Sequence, residues 1–171
     1  MGFTQPGRRV VNPELPVKNG RGLIAYARAN PRTLTFASIG AGSTVHLAGE
    51  MFKKMAGVEM VHVPYKGSAP ALTDIMAGRV SLMFDGGTSA LPLVKAGKLR
   101  VLATTDSRRS DQLPDIPTNA ESGLPGYEAV SWFGIAAPAG TPRPILERLA
   151  TDPAQIVHRQ RVTAQCVGPD R

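Results

Sequence analysis

Three short segments gather the groups in this 171-residue chain that can hold or transform a ligand. They are Ser38-Ile-Gly40-Ala-Gly42-Ser43-Thr44, Tyr65-Lys66-Gly67-Ser68 and Asp85-Gly86-Gly87-Thr88-Ser89, and each follows a β-prone run and leads into a helical pattern. In an open α/β sheet, ligands sit beyond the carboxyl ends of the strands, where such turns expose helix N-termini. In the first segment Gly40 and Gly42 permit a positive φ and close approach of backbone to ligand, while Ser43 or Thr44 can cap the helix. The N–H groups left facing outward suit an anion; equally, Ser43 can do no more than cap its own helix. In the second segment Tyr65 offers a phenol donor, Lys66 a countercharge and Gly67-Ser68 a further helix-start N–H pair, a set that suits a carboxylate. The plainer readings are a packed strand-end aromatic and a solvated cation. Asp85 can accept from a ligand ammonium or hydroxyl, or cap the helix that follows it. His46, one turn into the first helix, is either a packed or capping histidine or an acid-base group.

Several familiar chemistries fail on spacing. As a dinucleotide fingerprint, Gly40-Ala-Gly42-Ser-Thr-Val45 puts valine where a small residue is needed, and the next strand ends in Val63-Pro64-Tyr65 with no acid for a ribose hydroxyl. A phosphate-binding P-loop closes on Gly-Lys-Ser/Thr, whereas Lys66-Gly67-Ser68 has the order reversed. There is no G-x-S-x-G nucleophile elbow, and His46 has no sequence-evident nucleophile and acid beside it. Cys166 is the single cysteine, and His46, His62 and His158 are too scattered for a structural zinc site. No cofactor and no metal are expected.

The elements that must position these turns follow from periodicity. Asn19 caps a helix over residues 20–30, closed by Asn30-Pro31 because proline disfavours helix in the residue before it. Residues 34–38 read as a strand, and Val45, Leu47, Ala48, Met51, Phe52 and Met55 recur at helical spacing until Gly57. The grammar repeats with a strand over 59–63 and a helix over 69–77, then a strand over 80–84, a short helix over 89–96 and a strand over 98–103. Alternation of this kind predicts βαβ units and a largely parallel sheet flanked by helices. Beyond Thr105 comes a Pro/Asp-rich loop, then an extended stretch, Tyr127-Glu-Ala-Val-Ser-Trp132-Phe133. A helix is expected over 143–150, interrupted at Asp152-Pro153, with only weak periodicity after it.

Net charge is +7, which raises the question of nucleic acid. Residues 1–32 hold six Lys/Arg against one acid, while residues 33–128, which carry every glycine-rich turn, hold nine of each. No basic face for phosphates is therefore written where the turns are, and aromatic residues at 5% leave few stacking platforms. Nucleic acid is not an expected partner. Every apolar run is broken by charge, Gly or Pro well short of the ~18 residues of a membrane span. The amino terminus has no apolar region of signal-peptide length, so the chain as given is expected to stay in the cytoplasm.

The order of its motifs resembles the Bug family of solute-binding receptors, which serve tripartite tricarboxylate transporters. The resemblance is carried by Val10-Val-Asn-Pro-x-Leu-Pro-Val-Lys18, by Ala37-Ser-x-Gly-x-Gly-Ser-x-x-His-Leu-Ala-Gly-Glu50, and by His62-Val-Pro-Tyr-Lys-Gly-Ser-Ala-Pro-Ala-Leu72. Met83-Phe-Asp85, Lys95-Ala-Gly-Lys-Leu-Arg100, Leu113-Pro-Asp-x-Pro-Thr118, Glu121-Ser-Gly-Leu-Pro-Gly-Tyr127 and Ser131-Trp-Phe-Gly134 extend it over residues 10–150. It implies a type II periplasmic-binding-protein-like fold, a binding function and no catalysis, a small carboxylate as ligand, transporter membrane subunits as partners, a monomer and a periplasmic setting. It also implies that residues 1–17 cross from a first lobe, 18–126 form a second, ligand-binding lobe, and 127–171 cross back. Family members carry a signal peptide and most of a first lobe before the Val-Val-Asn-Pro segment, so the chain reads as truncated. Bottom-up and family readings converge on one substrate-binding set: Ser38, Gly40, Gly42, Ser43, Thr44, Tyr65, Lys66, Gly67, Ser68 and Asp85. The competing expectation is a small α/β enzyme acting on an anion, with His46, Lys66 or Asp85 as acid-base groups.

Overall fold

A computed structural model describes residues 2–86, 89–110, 113–134 and 136–158. Five strands form the main sheet: β2 (Arg8–Val11), β3 (Thr35–Ser38), β4 (Val61–Pro64), β5 (Leu82–Asp85) and β6 (Arg100–Thr104), in the order β4-β3-β5-β2-β6. β3 pairs parallel with both β4 and β5, while β2 runs antiparallel to β5 and β6. The sheet is thus mixed and mostly parallel, and β2 is the strand that departs from the βαβ rule. Two further strands, β1 (Gly2–Pro6) and β7 (Val130–Gly134), pair antiparallel in a separate ribbon.

The helices form where apolar residues recur at helical spacing. In α1 (Gly20–Ala29) the Asn19 side chain accepts from the Gly22 amide at 2.8 Å, and Leu23, Ile24 and Ala27 are buried. In α2 (Thr44–Ala56) the buried face is Val45, Ala48, Gly49, Phe52 and Ala56, and Gly57 ends the helix at φ 62°. That left-handed turn is cheap only for glycine. α3 (Ser68–Met76) buries Ala71, Leu72 and Ile75. α4 (Leu91–Lys95) is one short turn with proline at its start, and α5 (Arg143–His158) closes the described chain.

Three strands begin about two residues later than periodicity predicts, and for two of them the reason is common. The residues before β5 and β6 terminate the preceding helix: the Arg79 and Val80 amides donate to the Asp74 carbonyl, and those of Lys98 and Leu99 to the Leu93 carbonyl. An amide spent on a helix end is not free for the ladder. α5 corrects a second expectation, because it runs through Asp152-Pro153 to His158. One proline removes one i→i−4 bond and bends a helix without having to end it. Residues 159–171, Cys166 and the Gly87-Thr88 part of the third turn lie outside the described residues.

The core sits where α2 crosses the sheet. Phe52 is fully buried, 5.5 Å from the Phe84 ring and edge-on to Tyr127, and the Arg9 guanidinium lies over its face at 4.8 Å. Burial pushes the Tyr127 phenol well above its usual range, against the pull of Arg9, and its hydroxyl donates to the Ala48 carbonyl at 2.9 Å. Replacing Tyr127 by phenylalanine is expected to cost about 1 kcal/mol, read as a lower urea midpoint at unchanged slope.

The ribbon is fastened to the sheet at one knot. The Thr105 amide donates to the Gly7 carbonyl at 2.9 Å, the Gly7 amide donates to Thr105 Oγ1 at 2.9 Å, and Thr105 Oγ1 donates to the Ala129 carbonyl at 2.6 Å. A Cβ at Gly7 would sit 2.7 Å from Thr105 Oγ1 and 3.1 Å from the Asp85 carbonyl oxygen. Close approach of three segments therefore requires glycine there. No described helix is long and apolar enough to cross a membrane.

Candidate functional site

The parallel strands carry the three turns to one end of the sheet. Ser38 is in register with Pro64 across β3 and β4, and Ala37 with Met83 across β3 and β5, so the segments after Ser38, Pro64 and Asp85 leave the sheet together. The first turn folds tightly on itself. Gly40 and Gly42 have φ of 127° and 80°, and the Ser43 hydroxyl donates to the Gly40 carbonyl at 2.7 Å. Ser43 also caps α2, accepting from the His46 amide at 3.2 Å. Among the described residues the Thr44 and Val45 amides have no acceptor of their own. These two N–H groups carry the positive end of a 13-residue helix.

Thr44 and Val45 both line a cleft of about 230 Å³. Its walls are the α2 residues Thr44, Val45, Leu47, Ala48 and Met51, the end of β5 at Phe84 and Gly86, the knot residues Gly7 and Thr105, and the chain from Glu128 through Ser131. The Ser131 hydroxyl donates to Thr44 Oγ1 at 3.0 Å, tying the wall of the ribbon to the helix start. Among the described lining residues the charged side chain is Glu128. The cleft thus combines a long apolar flank with hydroxyls and backbone N–H groups at one end. That arrangement seats an anionic head group without a lysine or arginine and leaves apolar room for what is attached to it.

Of the residues singled out in the sequence, Thr44 lines this cleft. Ser38 is buried beneath the turn, where its hydroxyl lies 2.7 Å from His62 Nε2 and bonds both backbone atoms of Gly40 at 3.1 Å. Gly40, Gly42 and Ser43 shape the loop that presents the amides. In the second turn the Tyr65 hydroxyl donates to Asp74 Oδ2 at 2.8 Å, and Arg79 pairs with Asp74 Oδ1 at 2.9 Å. Donation from Tyr65 first, then Arg79, holds the Asp74 carboxyl below its usual range. Lys66 is exposed, Gly67 is extended, and Ser68 begins α3. The second turn meets the first through the Tyr65 amide, which donates to the Ser38 carbonyl at 2.9 Å. Asp85 is buried and caps its own turn, accepting from Ser89 Oγ at 2.9 Å and the Ala90 amide at 3.2 Å. Of the candidate acid-base groups, Lys66 and Asp85 lie on separate turns and His46 lies in α2.

The comparisons with known proteins bear on this geometry. The sequence profile of the tripartite tricarboxylate transporter family receptor matches residues 3–160. The chain belongs to that receptor family. Among its relatives, the UPF0065 protein in the tcbD-tcbE intergenic region of Pseudomonas sp. (strain P51) is 45% identical over 147 residues, which are 85% of this chain and 44% of that protein. The structure of R. palustris Rpa4515 with adipate is 45% identical, with a TM-score of 0.89 over 94% of this chain and 54% of that one. The periplasmic binding protein BugD is 32% identical, with a TM-score of 0.87 over 95% of this chain and 55% of its own. The chain therefore spans about half the length of these receptors. The fold expected from its motifs, an α/β lobe of periplasmic-binding-protein type, is the observed one.

Val45, Thr105, Glu128 and Ser131 were not singled out as site residues from the sequence. Ser131 lies 87 positions from the Thr44 it touches, and only the knot at Gly7 brings them together. The local signal, a serine beside Trp132, says nothing of that neighbour.

Proposed function

We propose that this chain supplies the carboxylate-holding lobe of a periplasmic solute-binding receptor that hands a small carboxylate to the membrane subunits of a tripartite transporter. The observation that supports the reading is the pair of α2 amides, Thr44 and Val45, which have no acceptor among the described residues and belong to residues that line the cleft with Ser131, whose hydroxyl bonds Thr44 Oγ1. Residues 18–126 form this lobe, the β1–β7 ribbon is its crossing to the other half of the receptor, and the exposed Ile145, Leu146 and Leu149 of α5 are the face that half covers. Gly40, Gly42 and Ser43 shape the amide site, Ser38 supports it from below, Tyr65, Lys66, Gly67 and Ser68 form its outer rim, and the buried Asp85 fixes the third turn behind it. The role is capture and release with no bond made or broken, by a single copy of the chain. The apolar flank of Leu47, Met51 and Val130 favours a linear dicarboxylate with a methylene middle, the class to which the adipate held by Rpa4515 belongs.

The test is a calorimetric titration of the chain with linear dicarboxylates of four to eight carbons, citrate, and the diamide of adipic acid. Hydrogen bonds to a charged acceptor exceed those to a neutral one by about 1 kcal/mol or more, so adipate is expected to bind roughly tenfold more tightly than its diamide. Equal affinity for the two would overturn the reading.

A further inference from the structure

A titratable pair sits directly behind the amide-presenting turn, on the side away from the cleft. His46 and His62 lie with ring centroids 4.1 Å apart, tilted by 35°, and each ring is stacked with Phe36, at 6.2 and 5.0 Å. Each ring reaches the turn by a different atom. The Gly42 amide donates to His46 Nδ1 at 3.1 Å, and His62 Nε2 lies 2.7 Å from the Ser38 hydroxyl that also holds Gly40. An Nδ1 that accepts carries no proton. The turn that presents Thr44 and Val45 is therefore held, in part, by a lone pair that exists only while His46 is neutral.

We propose that His46 is a positioning residue for the anion-binding turn, holding it through the Gly42 amide and letting it go when the imidazole takes a proton, with His62 as the partner that makes the two protonations mutually exclusive. This rests on the reading that the turn receives a carboxylate. Protonation puts an N–H at Nδ1 against the N–H of Gly42, two donors facing each other, and the turn has to move. Two imidazolium rings at this distance repel, so one proton discourages the next. The surrounding charges are Glu50 and Lys53 on α2: Glu50 Oε1 is 3.9 Å from His46 Nε2, and Lys53 pairs with Glu50 at 2.8 Å while its ammonium lies over the Phe36 ring. β3 contributes the uncharged Phe36 and Ser38, and β4 contributes His62 itself. Burial first, then His46, with Lys53 assisting and Glu50 opposing, holds the His62 imidazolium below its ordinary range. The stripe His46, Glu50, Lys53 lies across the helix from Thr44, Ala48 and Met51, which line the cleft. A charge on His46 thus faces Glu50, and its effect on a bound anion runs through the turn. The expected sign follows: carboxylate affinity is full where His46 is neutral and falls as His46 takes a proton.

The experiment is an amide-resolved NMR titration of the chain from pH 8 to 5.5, without ligand and then with adipate. The Gly42 amide is expected to titrate with the midpoint of the His46 ring and to lose about tenfold in protection at the acid end, the equivalent of one modest hydrogen bond. Adipate affinity should fall by a similar factor. His46→Asn offers an acceptor oxygen near the Nδ1 position but no proton site, so the Gly42 pH dependence should vanish and adipate affinity should keep only the part that comes from the ligand's own carboxyls. His62→Phe keeps a ring against His46 and removes the second protonation site, so the Gly42 response to pH should persist; its loss would assign the response to His62 and overturn the proposal. A Gly42 amide indifferent to the His46 titration, a His46→Asn variant with undiminished pH dependence, or affinity that rises on protonation would each overturn the proposal. A Gly42 response without adipate binding at any pH would instead sink the carboxylate reading and leave the latch standing.

Discussion

Truncating Phe52 to alanine is expected to lower the unfolding free energy by about 3–5 kcal/mol, the largest effect of any single change considered. Phe52 is fully exposed to other side chains and to no solvent: Phe84 and Tyr127 meet its ring, and the Arg9 guanidinium rests on its face. Arg9 is itself completely buried, and among the described residues its guanidinium nitrogens have no hydrogen-bond partner. Burial, opposed by Tyr127, brings its pKa down to about 10, so at neutral pH the group remains charged and the aromatic face is its main compensation. Alanine would remove that face and leave a cavity beside a buried cation. Leucine refills most of the volume, so Phe52→Leu should cost about 1–2 kcal/mol, with the difference reporting the lost ring face. Urea unfolding of the three proteins measures this. An alanine variant within about 1 kcal/mol of the parent would contradict the packing described here.

Gly42→Val is the second large effect, and it falls on binding. Gly42 holds φ at 80°, and a Cβ placed there meets nothing within 4 Å, so space is not what keeps other residues out. The backbone is: left-handed conformation costs an L-residue about 1–2 kcal/mol, and a β-branched one is a marked outlier. Valine would pull the turn toward negative φ, detach its amide from His46 and tilt the Ser43 cap on which the Thr44 and Val45 amides depend. A tenfold or greater loss of carboxylate affinity is expected. Asparagine tolerates left-handed backbone better, so Gly42→Asn should lose distinctly less. Calorimetry on both variants with adipate separates the cases, and equal losses would mean that backbone conformation at Gly42 does not govern the site.

What could be read from the sequence, and what could not, divides along contact distance. Asn19, Ser43, Gly57 and the helical spacing of α2 act within a few residues, and each appears in the fold where expected. So do the order of strands and helices between residues 20 and 104 and the position of the three turns at one end of the sheet; β1 and β2 were not among the expected strands. α5 running past Pro153 and the late starts of β5 and β6 were missed because local breakers were weighed without the helix-end bonds that use the intervening amides. The site was harder still. Glycine and hydroxyl content pointed to the three turns, and Ser43 is the cap of α2, accepting from the His46 amide. Tyr65 and Asp85 look like ligand groups in sequence, but in the fold they answer Asp74 and the Ser89-Ala90 turn. The opposite wall, from Glu128 to Ser131, reaches Thr44 only because Gly7, Thr105 and Ala129 cross at one point. No periodicity records a contact made 87 residues away.

The most direct test of the carboxylate-holding role is an amide-resolved NMR spectrum of the chain at pH 8 with and without adipate at about millimolar concentration. The predicted result is selective movement of the Thr44 and Val45 amides, with Ser131 following and the Lys66 turn shifting less. Binding that leaves Thr44 and Val45 unmoved, or no perturbation of the folded chain at any adipate concentration, would contradict the account.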